Sequence, residues 1–335
     1  MTQTTLPIRR PPGWAIPLAF TLVYLAWGTT YLAIRWGVHD LPPALFGGVR
    51  IGLAGLVLLA FLRWRGEQIR LPNREMLWAL LLGVIFFVGG NWLVTLGLKH
   101  VASGITAILV ATTPLWAALL ETAWPGGERL SVGGWVGMLT GLAGVVLLKI
   151  DQPLDRETSL GALLIVGSAM LWAFGSCLLR RQRRRSSHLV TAAWQMALGG
   201  GALTLLGLLV GEAQQLTAAS FTGRAVYAFL HLLVVGSLVG FVAYNWLLGH
   251  VTTAQASTYA YVNPVVALII GWALHDHGMS WPIVAGMVII LTGVAVVRSQ
   301  GVGKAVVIEP PPVEEQAVEE AVVGITRPLQ IQRPG

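Results

Sequence analysis

Charge is what this chain has least of. Asp, Glu, Lys and Arg make up 11% of its 335 residues, less than half the roughly 25% typical of a soluble domain. Acids are too few within the apolar runs for paired-carboxylate catalysis. There is one cysteine, Cys177, so no internal disulfide can form, and its apolar neighbours mark it as an inert thiol rather than a redox or metal group. HExxH, clustered Cys/His ligands, a GxSxG elbow and a Walker lysine loop are all missing. No enzyme activity, metal or cofactor is therefore expected. A net charge of +7 would suit nucleic acid in a soluble protein, but these arginines flank apolar runs, where they set membrane orientation. Nucleic acid is not an expected partner.

What the chain does have is apolar sequence: 55% of residues are hydrophobic, and the mean hydropathy is +0.70. A bilayer-crossing helix needs about 20 apolar residues, and ten such runs are present, at 15–36, 43–63, 76–97, 101–122, 132–150, 159–179, 189–211, 225–248, 252–274 and 281–298. Backbone amides cannot stay unpaired in hydrocarbon, and alternating barrel strands are absent, so the runs predict an all-α integral membrane protein with ten transmembrane helices. The run from Ala15 is too long for a signal-peptide core and stays as the first span. Residues 1–14 precede the spans, and the polar stretch 151–158 reads as a linker between residues 15–150 and 159–298. From 299 to 335 the composition turns to prolines and glutamates, as in a disordered tail.

The two five-span halves repeat one plan. His100–Pro114, HVASGITAILVATTP, returns as His250–Pro264, HVTTAQASTYAYVNP. Trp27-Gly28 answers Trp172-Ala173, and Gly137 with Gly144 answers Gly286 with Gly293. Lysine and arginine stay on the cytoplasmic side. A cytoplasmic N-terminus places Arg9, Arg10, Arg63, Arg65, Arg70, Arg74, Arg129, Arg180, Arg181, Arg183, Arg184, Arg185, Arg298 and Lys304 there, and leaves Arg35, Lys99, Lys149, Arg156 and Arg224 outside. Both termini are thus expected in the cytoplasm. Five spans is an odd number, so the halves must insert in opposite senses, the inverted-repeat plan of carriers whose solute site lies near the midplane.

Polar residues inside the spans are the candidates for a solute pathway: Trp27, Tyr31, Asn91, Trp92, Thr112, Trp172, Ser176, Tyr244, Asn245, Tyr259, Tyr261 and Asn263. Each buried amide or hydroxyl needs a partner, and a mostly apolar cavity with a few placed polar groups is what a small-molecule site looks like. Pro114 and Pro264, at matched positions within spans four and nine, admit two readings, hinge or static kink. Each leaves carbonyls of the preceding turn, near Val110 and Ala260, in need of a partner. Arg50 is the one cation within a span, so it is either structural or a gating and substrate charge, and its counterpart in the second half is Gln195. Glu121 and His231 are the groups that could relay a proton as coupling ion, against the plainer readings of an interfacial acid and a satisfied core histidine. Glycines at four-residue spacing, Gly48 and Gly52 in span two and Gly133, Gly137 and Gly141 in span five, predict close helix packing.

Taken in order, Trp27-Gly28-Thr29-Thr30-Tyr31, Pro42-Pro43 followed by Arg50, Asn91-Trp92, the proline-bearing spans four and nine, the turn Glu128-Arg129-Leu130-Ser131 before Gly137, and Tyr244-Asn245 resemble the EamA family of the drug/metabolite transporter superfamily over residues 15–298. The resemblance implies a bacterial inner-membrane carrier, often an exporter of amino acids or other small metabolites. It also implies a central cavity built by spans one, three, four, six, eight and nine, with spans two and seven outside it, which favours the structural reading of Arg50. Asp276-His277-Gly278-Met279-Ser280 departs mildly from the family's span nine to ten turn. Spans nine and ten hold no lysine or arginine before Arg298, which counts against a phosphorylated solute. The expected partners are a small solute and the lipid bilayer, and the expected function is export by alternating access. The alternative is a non-transporting membrane scaffold or sensor that docks through its tail or its Arg180–Arg185 cluster.

Overall fold

In the computed structural model every described residue lies in helices, turns or short connections, and there is no strand among them. The structure describes residues 11–101, 106, 109–127, 129–148, 156–182, 186–273 and 281–299, all within one compact unit, Met1–Gly303. Glu128, Arg183 to Arg185, residues 151–155 of the linker, the 276–280 turn and the tail from 300 lie outside the described residues, as does the side chain of Tyr31.

The helices are α1 (Ala15–Asp40), α2 (Pro43–Trp64), α3 (Asn73–Gly97), α4 (Thr113–Ala123), α5 (Val132–Leu148), α6 (Arg156–Arg181), α7 (His188–Leu209), α8 (Gly223–Leu248), α9 (Tyr259–Ala273) and α10 (Trp281–Ser299). Six of them, α1, α2, α3, α6, α7 and α8, are long and apolar enough to cross a bilayer; stretches of α5 and α10 are shorter apolar helices. Their outward faces carry exposed Leu22, Leu53, Leu56, Leu163 and Leu205, a surface stable only against lipid. Trp14, Trp64 and Trp281 stand exposed at helix ends, where indole favours the interface.

Spans four and nine are not the continuous helices the hydropathy suggests. A non-helical turn at Ala111–Thr112 precedes α4, and another at Ser257–Thr258 separates the short helix Thr253–Ala256 from α9. Pro114 therefore sits in the first turn of α4, where a missing N–H costs nothing, whereas Pro264 lies inside α9. The Thr113 hydroxyl donates to the Val110 carbonyl at 2.6 Å, satisfying the group that a proline in mid-helix would have orphaned.

Small residues fix the packing. A β-carbon on Gly48 would collide with the Thr204 backbone, one on Gly55 with Ala197, and one on Gly200 with Gly52, so α2 and α7 touch backbone to backbone and run antiparallel. The same holds at the far side: Gly137 meets Gly293 while Gly144 meets Gly286. These are the four glycines the repeat matched, and each packs on the other's counterpart. Elsewhere the halves exchange partners: α1 packs on α8 and α9, and α6 on α3 and α4. An antiparallel contact between equivalent helices is what a two-fold axis perpendicular to them produces.

One carboxylate ties a helix start to the opposite half. Glu212, in the turn after α7, accepts from the Ala44 and Leu45 amides at 3.2 and 2.9 Å at the N-terminus of α2. Glu212→Ala is expected to cost about 1–2 kcal/mol, read as a lower Tm of the purified protein, with Glu212→Gln losing less.

Candidate functional site

A cleft lined by residues of both halves lies where they meet, the kind of concave site that small-molecule ligands occupy. Trp27, Thr30 and Ile34 of α1 and Trp172 of α6 form one part of its wall, and Tyr259 and Asn263 of α9 another. The remainder comes largely from two wide, π-helical stretches, Val84–Trp92 within α3 and Leu232–Phe241 within α8. π turns are rare and concentrate at functional sites; here each half supplies one, carrying Gly90 and Asn91 or Gly236 and Ser237 to the cavity.

An aromatic cluster closes the cavity on the side of the α1 N-terminus. Trp27 meets Trp172 edge-on at 5.5 Å, Tyr259 at 4.4 Å and Tyr244 at 5.1 Å, while its indole N–H donates to the Gly236 carbonyl at 2.9 Å. The two tryptophans matched by the repeat thus touch each other at the junction. Beyond them, Tyr244 and Ser176 share a 2.7 Å hydrogen bond, as do Tyr24 and Thr258. Further along, the buried Glu121 pairs with Arg181 and accepts from the Thr253 hydroxyl at 2.8 Å, and Arg181 lies over the Trp124 ring at 4.9 Å. Glu121 is thus buried and paired rather than free.

Of the pathway candidates, Trp27, Asn91, Trp172, Tyr259 and Asn263 line the cavity. Tyr244 and Ser176 lie behind the aromatic closure. Tyr261 turns away to α5 and donates to the Met138 carbonyl at 3.1 Å, while Thr112 receives the Trp116 indole N–H at 3.1 Å. Trp92 and Asn245 are outside the lining; each sits at or just past the end of a π stretch, and one extra residue in a turn rotates the residues after it by about 100° relative to a regular helix. His231 bonds Thr29 at 3.1 Å and stacks on Tyr227, away from the cavity.

Arg50 departs from what the resemblance implied. Although α2 packs peripherally on α7, Arg50 and Ile51 line the cavity, and Arg50 is 5% exposed. The side chain is long enough to carry its guanidinium between the halves, reaching Asn91 Oδ1 and Ser237 Oγ, each at 3.4 Å. Ser168, Phe87, Ser237 and Phe241 also line the site without having been singled out in the sequence. The available signal was the pair Gly89-Gly90 and the glycines Gly236 and Gly240, which mark helices able to widen.

A polytopic helical protein with a cavity between two alike, crosswise-packed halves has the plan of a membrane transporter. The profile of the EamA-like transporter family matches residues 14–150 and again residues 159–299. The chain belongs to that family. It is 37% identical over 264 residues to the uncharacterized inner membrane transporter YedA of Escherichia coli K12, covering 78% of this chain and 83% of that one. It is 24% identical over 281 residues to the uncharacterized transporter YoaV of Bacillus subtilis, covering 83% and 95%. One crystal structure superposes with a TM-score of 0.72 at 22% identity, over 85% of this chain and 97% of that chain, which speaks to the fold.

Proposed function

We propose that this chain is a secondary carrier of the bacterial inner membrane that exports a small amphipathic metabolite, such as an amino acid, by alternating access. Ten spans would form two oppositely inserted five-helix halves with both termini in the cytoplasm. The observation that carries this reading is the cavity itself: it lies at the contact between the halves, its wall is mainly apolar with a few polar groups, and a cross-half aromatic cluster closes one end. Equivalent helices in antiparallel contact, Gly137 on Gly293 and Gly144 on Gly286, support the inverted plan. The name of the Escherichia coli relative supports the inner membrane. In this orientation the aromatic cluster and the Glu121–Arg181 pair lie on the cytoplasmic side of the cavity.

Comparing metabolites in the spent medium of cells with and without the protein identifies the solute, and flux in vesicles at matched expression then tests the pathway. Trp27→Ala and Asn263→Ala are expected to lower flux by about tenfold each, because each removes a wall contact at the junction. Asn91→Ala and Tyr244→Ala are expected to reduce it less. Unchanged flux in all four would remove the proposed pathway. Truncation after Ser299 is expected to leave flux intact; a scaffold docking through its tail would instead lose its partner.

A further inference from the structure

We infer that Arg50 is the receptor for a carboxylate on the transported solute, so the carrier selects molecules that join one carboxylate to an apolar body. This rests on the carrier reading and assigns the chemistry of its cavity.

A lone guanidinium in a low-dielectric site is costly unless its charge and donors are met. The protein meets Arg50 only in part: the Phe46 ring lies 5.8 Å from its guanidinium carbon, at the outer limit of a cation–π contact. No aspartate or glutamate is among the described residues lining the cavity. Its two hydrogen bonds go to neutral acceptors, Asn91 and Ser237, at 3.4 Å, the long end of the useful range. Its Nε has no hydrogen-bond partner among the described residues. Of the buried acids elsewhere, Glu121 is committed to Arg181, Glu212 to the start of α2, and Glu75 lies in the first turn of α3, outside the cavity.

The rest of the wall says what kind of anion fits. One planar guanidinium matches a carboxylate through two parallel N–H···O bonds. Phe87, Phe241, Trp27 and Trp172 offer mainly apolar and aromatic surface to the remainder of the solute, and no second cation is among the described residues that line the cavity to meet a dianion. Asn263 Oδ1, buried and without a hydrogen-bond partner among the described residues, supplies an acceptor for one N–H or O–H of the solute. The matched residue in the other half, Gln195, is neutral and outside the cavity, so a single anion site is built. Because the partners of Arg50 belong to the π stretches of opposite halves, a carboxylate that takes over its N–H groups also loosens a link between them.

Calorimetric titration of the purified full-length chain in detergent tests this with acid and amide pairs of the same shape: phenylacetate with phenylacetamide, 4-methylpentanoate with its amide, and L-leucine with L-leucinamide. At least one acid is expected to bind saturably and about tenfold or more tighter than its amide. Arg50→Gln is expected to abolish that preference, and Arg50→Lys, which keeps the charge without the fork, to retain part of it. If no acid outbinds its amide in the unmodified protein, or if a folded Arg50→Gln keeps the preference, the assignment is overturned. Saturable flux of solutes lacking a carboxylate would overturn it while leaving the carrier standing. Carboxylate binding through Arg50 with no saturable flux of any solute would leave the site standing and overturn the carrier.

Discussion

Glu121→Ala is expected to destabilise the protein by about 3 kcal/mol and to expose Cys177. Removing one member of a buried ion pair leaves the other charge uncompensated. Here it also removes the acceptor of the Thr253 hydroxyl, so one substitution cuts α4 from both α6 and the start of the ninth span. Cys177 lies one turn before Arg181 on the same face of α6, fully buried, its thiol directed at the Ala117 carbonyl at 3.9 Å. As the chain's single cysteine, it reports opening at this end without further engineering. Maleimide labelling in intact membranes is expected to rise on the order of a hundredfold, the factor that about 3 kcal/mol converts to. The double substitution Glu121→Met with Arg181→Met is expected to recover most of the stability, since a buried pair replaced by apolar residues of similar volume is close to neutral. Slow labelling in both Glu121→Ala and the parent would show that this pair does not hold the end closed.

Gly200→Val is expected to abolish the folded protein. Even a β-carbon at this position would collide with the Gly52 backbone nitrogen and stand 2.8 Å from the Gly48 carbonyl oxygen. Those are backbone atoms of a helix, which cannot swing aside as a side chain can. The axes of α2 and α7 would have to separate along their whole contact, forfeiting about 3 kcal/mol or more. The neighbouring Gly201 has nothing within 4 Å of its β position, so Gly201→Ala is expected to fold normally. Size-exclusion profiles of the two variants at equal expression make the comparison. A monodisperse Gly200→Val peak at the parent's Tm would contradict the backbone-to-backbone contact of α2 with α7.

The aromatic junction was legible because Trp27 and Trp172 recur at matched places, and the glycine contacts because Gly137, Gly144, Gly286 and Gly293 do. The surroundings of Tyr244, Tyr261 and Asn245 were not legible, because all three share the same signature of a polar residue in an apolar run. One closes the cavity from behind, one turns to α5 and one sits just past a widened turn. Glu121 and His231 looked alike as relay groups, yet their neighbours separate them: an arginine and a threonine on other helices in one case, Thr29 and a stacked Tyr227 in the other.

Hydropathy, charge placement and internal recurrence by themselves determined that this is a helical membrane protein of two like halves, because those properties belong to segments and are set by the bilayer. Only the tertiary structure decided which faces enclose the solute. Helix rotation, the breaks before α4 and α9 and the π turns of α3 and α8 are settled by contacts between distant segments. The same contacts brought Arg50 from a peripheral helix to the centre, because a guanidinium on a long stem reaches where its backbone does not.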